Sequence, residues 1–300
     1  MASPSTPSPF HGLGTALITP FQADGELDLP SLDRLVEQQL SRGVNFLVPL
    51  GSTGESATLS EAEQLRLLDR VREKTAGRLP LLAGCGGNNT RAVIQRGKAF
   101  QKEGITHILS VTPYYNRPTQ QGIFQHFQAI RQETGLNLMA YTVPVRTGIN
   151  LEPDTVCRLA EEGIAFAVKE ASGNPAQIQK ILAQAPAGFQ VFSGDDSLTL
   201  PIMAMGGVGV ISVASNVIPG PMSRWVGHMA QGDYQAARAM LPQLIRLFDA
   251  LFVESNPIPV KGAAQLLGLA QHHLRLPLTS PGAATLDRLK KALEPFQNGE

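Results

Sequence analysis

Residues 162–173 read "EGIAFAVKEASG". After Glu162 comes a glycine, five apolar residues follow, and the run ends in a lysine and a glutamate. Glycine suits the left-handed position that closes a helix. A near-continuous apolar run suits a parallel strand covered on both faces. The same opening recurs as "RGVNFLVPL" at Gly43, "AGRLPLLAG" at Gly77, "EGITHILSV" at Gly104, "TGLNLMAYTV" at Gly135, "AGFQVFSG" at Gly188 and "GGVGVISVA" near Gly207. With "GTALITP" near the start, the chain offers eight strands.

The segments between them carry helix signals. "SLDRLVEQQL" places Leu32, Leu35, Val36 and Leu40 on one face. "SEAEQLRLLDRV" opens with Ser60 and Glu63 in capping-box spacing and continues with Leu67, Leu68 and Val71. "EPDTVCRLAEEG" has Pro153 in its first turn. Eight strand–helix units imply an α/β fold, a (β/α)8 TIM barrel. An open doubly wound sheet fits less well, because no GxGxxG follows the first strand. Strand signals stop near residue 220, and "QAARAMLPQLIRLFDALF" and "LDRLKKALEPF" read as helices. The expected organisation is a disordered tail at 1–9, the barrel at 10–222 and a small helical C-terminal region at 223–300.

Lys+Arg and Asp+Glu balance at 25 each in 300 residues, and no basic run is present. That composition excludes a polyanion-binding surface as the main function, so no nucleic-acid partner is expected. No apolar run reaches membrane-spanning length, so no membrane partner is expected. The opening "MASPSTPSPF" lacks the apolar stretch of a signal peptide. Cys85 and Cys157 match no metal or CxxC spacing, which fits reduced thiols in a cytoplasmic protein.

Barrel enzymes work at the C-terminal ends of their strands. In this chain those ends carry "GSTGE" (51–55), "GCGGNN" (84–89), "TPYYN" (112–116), "YTVPVRTG" (141–148), "KEASG" (169–173) and "SGDD" (193–196). Strand alternation places Ala165, Ala167 and Lys169 on one side, with Phe166, Val168 and Glu170 on the other. If the small residues face the axis, Lys169 points up the barrel's centre and Glu170 toward the helices. A strand-end lysine ordinarily packs its stem and keeps its head in water. An enclosed amine instead has a depressed pKa and attacks carbonyls to form a Schiff base. "GSTGE" is a turn, and its amides and hydroxyls can also hold a carboxylate. Tyr141 is either a packed aromatic or a proton-transfer phenol. Arg146 is either a surface arginine or a bidentate carboxylate clamp.

Seven stretches taken together, "GSTGESATL", "VTPYYNRPTQQGIFQHF", "YTVPVRTG", "VKEASGN", "SGDDSLTL", "GGVGVISVASN" and "FVESNPIPVK", resemble the dihydrodipicolinate synthase family. The similarity runs from about residue 10 to near the C-terminus. The wider group includes N-acetylneuraminate lyase and 2-keto-3-deoxy-sugar-acid aldolases, all pyruvate-handling class I aldolases on the same barrel. The resemblance implies that Lys169 forms a Schiff base with pyruvate and that Tyr141 moves protons beside it. Thr53 would bond Tyr141 and extend a relay to Tyr115, lent by a neighbouring subunit. Ser52 and Thr53 would hold the pyruvate carboxylate, Gly194 and Ile211 would line the site, and Arg146 would bind L-aspartate 4-semialdehyde. The implied partners are those two substrates and further copies of the chain in a homotetramer. No cofactor and no metal are implied. The implied pathway is diaminopimelate and lysine biosynthesis.

Arg146 in "RTG" favours the synthase over the sugar-acid lyases. Two residues depart from its common pattern: Thr142 replaces an asparagine, which would alter packing beside Tyr141, and Ser52 replaces a threonine. Lysine-inhibited relatives bind their effector near residues matching Ser56, Ala57, Glu61, Asn88, Ala92 and Tyr114. Ala92 replaces a glutamate there, and Glu61 and Gln64 replace histidines, so weak or absent lysine inhibition is expected. The competing readings are another pyruvate aldolase and a noncatalytic keto-acid-binding barrel; the latter has no use for a proton relay.

Overall fold

The computed structural model describes residues 8–297, so residues 1–7 of the expected tail lie outside it. Eight strands form one sheet: β1 (Gly12–Ala16), β2 (Phe46–Val48), β3 (Ala83–Gly84), β4 (His107–Val111), β5 (Asn137–Thr142), β6 (Ala165–Glu170), β7 (Gln190–Ser193) and β8 (Gly209–Ser212). All pair in parallel in the order β2-β1-β8-β7-β6-β5-β4-β3. A parallel bridge between Leu47 and Leu81 closes the ring, with Leu82 N–H donating to Leu47 O at 2.9 Å. The (β/α)8 barrel expected from the glycine-led runs is therefore the observed fold.

The helices are α1 (Leu29–Ser41), α2 (Glu61–Thr75), α3 (Thr90–Lys102), α4 (Gln120–Thr134), the short α5 (Pro144–Thr147), α6 (Pro153–Glu161), α7 (Pro175–Gln184), α8 (Thr199–Ala204), α9 (Pro219–Ala230), α10 (Tyr234–Leu251), α11 (Ile258–Leu266) and α12 (Ala283–Gln297). Their starts are set locally. Ser60 and Glu63 form the reciprocal capping box read from the sequence, and Asp28, Asn89, Thr119 and Asn174 cap four others. Gly135 ends α4 at φ 67°, its N–H donating to Arg131 O at 2.9 Å, which turns the chain directly into β5. Helix α9 packs against β1 and continues to Ala230, so a boundary at residue 222 falls inside it. No helix of the described residues is long and apolar enough to cross a membrane.

The barrel interior holds Phe46, Val48, Leu109, Met139, Ala167, Phe192 and Ile211, with Tyr141. Phe10 closes the end opposite the polar strand termini, edge-on to Phe46 at 5.2 Å and stacked on Phe166 at 5.8 Å. Strict alternation fails at this point. Leu138 pairs with Ala165 but Met139 pairs with Ala167, so β6 carries a bulge at Phe166. Ala165 therefore joins the outer core with Val168, while Phe166 turns inward to Phe10 and His107. Ala167 and Lys169 keep the inward side, so the bulge corrects the lower half of the strand and leaves the lysine's direction unchanged.

Candidate active site

Lys169 is 6% exposed and stands at the top of β6, directly paired with Tyr141 of β5. Its ammonium nitrogen lies 4.4 Å from the centroid of the Tyr141 ring. Burial pulls the Lys169 pKa down to about 8; the Asp196 carboxylate opposes that shift and the Arg146 guanidinium adds to it. Burial pushes the Tyr141 phenol up to about 12, so it stays protonated as a neutral hydroxyl. Gly194 makes room for the amine. A Cβ there would stand 3.1 Å from Lys169 Cε and 2.8 Å from Ala171 Cβ. Ile211 is buried in the same interior.

Glu170 takes the opposite face, as alternation requires. Burial raises its pKa, and it accepts from Gln177 Nε2 at 2.7 Å and from Ser172 N–H at 3.1 Å. Gln177 also meets Asn150, and Asn150 meets the Thr142 hydroxyl at 3.2 Å. Thr142 also accepts from Leu151 N–H at 3.1 Å. Thr142 therefore faces away from the barrel interior. It braces the return of the loop that carries Arg146 and does not alter packing beside Tyr141.

Asp196 was not among the residues singled out from sequence. Its Oδ2 accepts from Val213 N–H (3.1 Å) and Ala214 N–H (2.9 Å), tying the end of β7 to the end of β8. Its Oδ1 makes no hydrogen bond among the described residues, and burial raises its pKa to about 6 against the lowering effect of the Ser212 hydroxyl. The second aspartate of "SGDD" was the available signal.

The turn after β2 is held in strained backbone at both ends. Leu50 (φ 61°) precedes the 3-10 turn Ser52–Gly54, and Glu55 (φ 51°) ends it. Non-glycine residues in this region cost about 1–3 kcal/mol each and gather at functional loops. Close approach explains Gly84, whose Cβ would fall 2.0 Å from Leu50 O. Within the turn the two hydroxyls differ. Thr53 is buried and accepts from Asn256 Nδ2 at 2.8 Å. Ser52 is exposed, and its hydroxyl makes no hydrogen bond among the described residues. Among the described residues no hydrogen bond joins either Thr53 or Ser52 to Tyr141, and the Thr53 oxygen is instead engaged by Asn256.

Arg146 is exposed in α5 and donates from Nη2 to Asn256 O at 2.9 Å. With Tyr114, Tyr115, Arg117 and Gly148 it lines an open cavity of about 570 Å³. Tyr115 is 90% exposed at φ 72°, and Arg117 is at φ 46°. Of the regulatory candidates, Tyr114 lines this cavity. Glu61 lines a different one of about 210 Å³ between α2 and α3, with Gln64, Arg96 and Phe100. Gln64 is committed to Ser56 O and Leu59 O, both at 3.2 Å. Asn88 O accepts from Asn116 at 2.9 Å, and Ala92 sits in the first turn of α3. Ala57 is exposed beside that region.

The strand ends thus assemble a buried amine of lowered pKa, a neutral phenol beside it, a strained hydroxyl- and amide-bearing turn, and an arginine at the mouth. Residues 9–295 match the sequence profile of the dihydrodipicolinate synthetase family. The chain is 46% identical over 289 residues to a 4-hydroxy-tetrahydrodipicolinate synthase of Azobacteroides pseudotrichonymphae, covering 96% of this chain and 97% of that one. Among solved structures, dihydrodipicolinate synthase from Thermotoga maritima superposes with a TM-score of 0.94 at 41% identity, over 96% of this chain and 99% of the other. The chloride-inhibited dihydrodipicolinate synthase from Acinetobacter baumannii, complexed with pyruvate, superposes with a TM-score of 0.92 at 38% identity, over 95% and 98%.

Proposed function

The chain belongs to the dihydrodipicolinate synthetase family, and we propose that it works as a 4-hydroxy-tetrahydrodipicolinate synthase with Lys169 as its Schiff-base amine. It is a lyase of the class I aldolase type, and its substrates are pyruvate and L-aspartate 4-semialdehyde. The single observation that carries the site assignment is the buried Lys169 amine against the Tyr141 ring.

The neutral amine attacks C2 of pyruvate, and loss of water gives an imine. Loss of a C3 proton then gives an enamine, which attacks the semialdehyde carbonyl. The new alkoxide takes up a proton and remains as the 4-hydroxyl. The adduct's own amine next attacks the imine carbon, releases Lys169 and closes the ring. Protonated Tyr141 supplies and recovers protons at the carbinolamine and at the alkoxide. Arg146 at the mouth is the clamp for the carboxylate of the incoming semialdehyde.

Of the two turn hydroxyls, Thr53 is fixed by Asn256 and suits a static hold on the pyruvate carboxylate. Ser52 is uncommitted and suits the proton relay toward Tyr141. Tyr115, an exposed ring on strained backbone, suits insertion beside a second copy's site, which supports a dimer at least; a homotetramer as the full assembly belongs to the same reading. A cytoplasmic location and weak or absent lysine inhibition belong to the same reading. Ala92 offers no carboxylate to an effector's amine, and that lost contact weakens binding about ten- to a hundredfold.

The deciding experiment is borohydride reduction in the presence of pyruvate, followed by peptide mapping and a condensation assay with aspartate semialdehyde. Label on Lys169 and turnover of the semialdehyde are expected. Absence of label on Lys169 sinks the amine assignment, and turnover of a sugar acid alone moves the chain to another aldolase.

A further inference from the structure

The pyruvate turn and Arg146 come from different loops of the barrel, yet both are tied to one residue outside it. Asn256 lies between α10 and α11 and is 6% exposed. Its side-chain Nδ2 donates to Thr53 Oγ1 at 2.8 Å, and its backbone carbonyl accepts from Arg146 Nη2 at 2.9 Å. Its Oδ1 is buried and has no hydrogen-bond partner among the described residues. The side chain is anchored to the turn through its donor end.

The direction of that bond has a chemical consequence. An amide N–H can only donate, so the Thr53 oxygen must accept, and the hydroxyl's own proton is left to point elsewhere. A carboxylate in the turn would receive it. The same C-terminal segment grips the turn a second time. Lys261 of α11 is ion-paired with Glu55, and Arg275 N–H donates to Glu55 Oε2 at 3.2 Å. Glu55 is the residue whose left-handed backbone ends the turn.

We propose that Asn256 is a positioning residue that aims the Thr53 proton at the pyruvate carboxylate and holds the turn in register with Arg146. The inference rests on the assignment of Thr53 to pyruvate and Arg146 to the semialdehyde. It gives the C-terminal helical region a part in substrate binding that the barrel alone does not supply.

The test compares wild type, Asn256→Ala, Asn256→Asp, Thr53→Val and the Asn256→Ala/Thr53→Val double variant. The readout is the pyruvate concentration giving half-maximal borohydride trapping of Lys169. Asn256→Ala is expected to raise that concentration about tenfold, the scale of one lost buried hydrogen bond, with the limiting trapping rate within about threefold of wild type. Asn256→Asp is nearly isosteric and can still bond Thr53. It does so with the polarity reversed, consuming the hydroxyl's proton, so it is expected to raise the concentration as well. A merely structural bond would be restored by Asp. The double variant is expected to lose no more than Thr53→Val alone.

In the condensation assay, Asn256→Ala is expected to raise KM for the semialdehyde about threefold, because the carbonyl that holds Arg146 stays in place but loses its anchor. Wild-type pyruvate dependence in Asn256→Asp, no change in Asn256→Ala, or multiplying losses in the double variant would each overturn the proposal. The near-isosteric Asp variant gives the answer should the Ala variant fail to fold. Trapping needs no aldehyde, so it reads Asn256 whatever acceptor the condensation assay identifies.

Discussion

Lys169 and Tyr141 are directly paired across β6 and β5, with the lysine nitrogen 4.4 Å from the centroid of the phenol ring. The pairing places a proton-bearing group beside the amine without placing a charge there. It divides the chemistry between covalent capture of pyruvate, which cannot occur without the amine, and the proton transfers at the carbinolamine and the alkoxide, which the phenol speeds. Lys169→Ala is expected to abolish borohydride-trapped label entirely. Tyr141→Phe keeps the ring against the amine, so it is expected to form the Schiff base while kcat falls about 10²- to 10⁴-fold. Equal loss of trapping in both variants would refute that division.

The amine is reactive only when unprotonated, so the rate of pyruvate trapping is expected to rise with pH through about 8 and level off above it. An ordinary lysine would still be rising toward 10.5. The neighbours set the sign of further shifts. The Asp196 carboxylate favours the ammonium, so Asp196→Asn moves the inflection down. The Arg146 guanidinium disfavours the ammonium, so Arg146→Ala moves it up. Trapping rates measured across pH 6–10 check all three, the range being set on the order of two units around the inflection. A profile with no inflection below 10, or shifts in the reverse directions, would remove the electrostatic account.

Arg146 is exposed and lines the open cavity with Tyr114, Tyr115 and Arg117. Arg146→Ala is expected to raise KM for aspartate semialdehyde by about ten- to a hundredfold, the loss of one charge-assisted contact, while pyruvate trapping at saturation stays intact. Steady-state kinetics with each substrate varied in turn reads the split. An unchanged semialdehyde KM would take Arg146 out of substrate recognition.

The two turn hydroxyls separate in the same assays. Ser52→Ala is expected to lower kcat about tenfold or more with little change in pyruvate dependence, since it removes a proton carrier. Thr53→Val is expected to weaken pyruvate binding first, since it removes a fixed hydrogen-bond donor. Thr53→Val lowering kcat alone would return the relay to Thr53.

What the chain announced in advance and what it concealed follow one physical line. Glycine-led apolar runs and the Ser60–Glu63 box are local signals, and they located the strands and a helix start correctly. The upward direction of Lys169 was legible because Ala167 and Lys169 lie two apart on regular strand. The bulge at Phe166 was not, because a bulge exists only in the pairing of two strands. The left-handed backbone at Leu50 and Glu55 was also hidden; nothing in those residue types asks for positive φ. The roles of Asn256 and Lys261 are not legible within "FVESNPIPVK", because their partners Thr53 and Glu55 are some two hundred positions away. A lysine amid the apolar residues of "IPVKGAAQL" was the available clue to a buried ion pair.

That pair supplies the last prediction. The Lys261 side chain is fully buried, ion-paired with Glu55, donates to His273 O at 2.8 Å and stands 4.2 Å from the Phe21 ring centroid. Removing one partner leaves the other charge in a site that water does not reach. Lys261→Met is therefore expected to cost about 3–5 kcal/mol of stability. Replacing both partners, as Glu55→Gln with Lys261→Met, leaves no buried charge and is expected to recover most of that loss. Denaturant midpoints at neutral pH measure both variants. The double variant is also expected to bind pyruvate more weakly than wild type, because Glu55 fixes the end of the Ser52–Gly54 turn. A single variant as stable as wild type would show that the pair holds nothing. A stable double variant with wild-type pyruvate affinity would show that it holds the fold but not the turn.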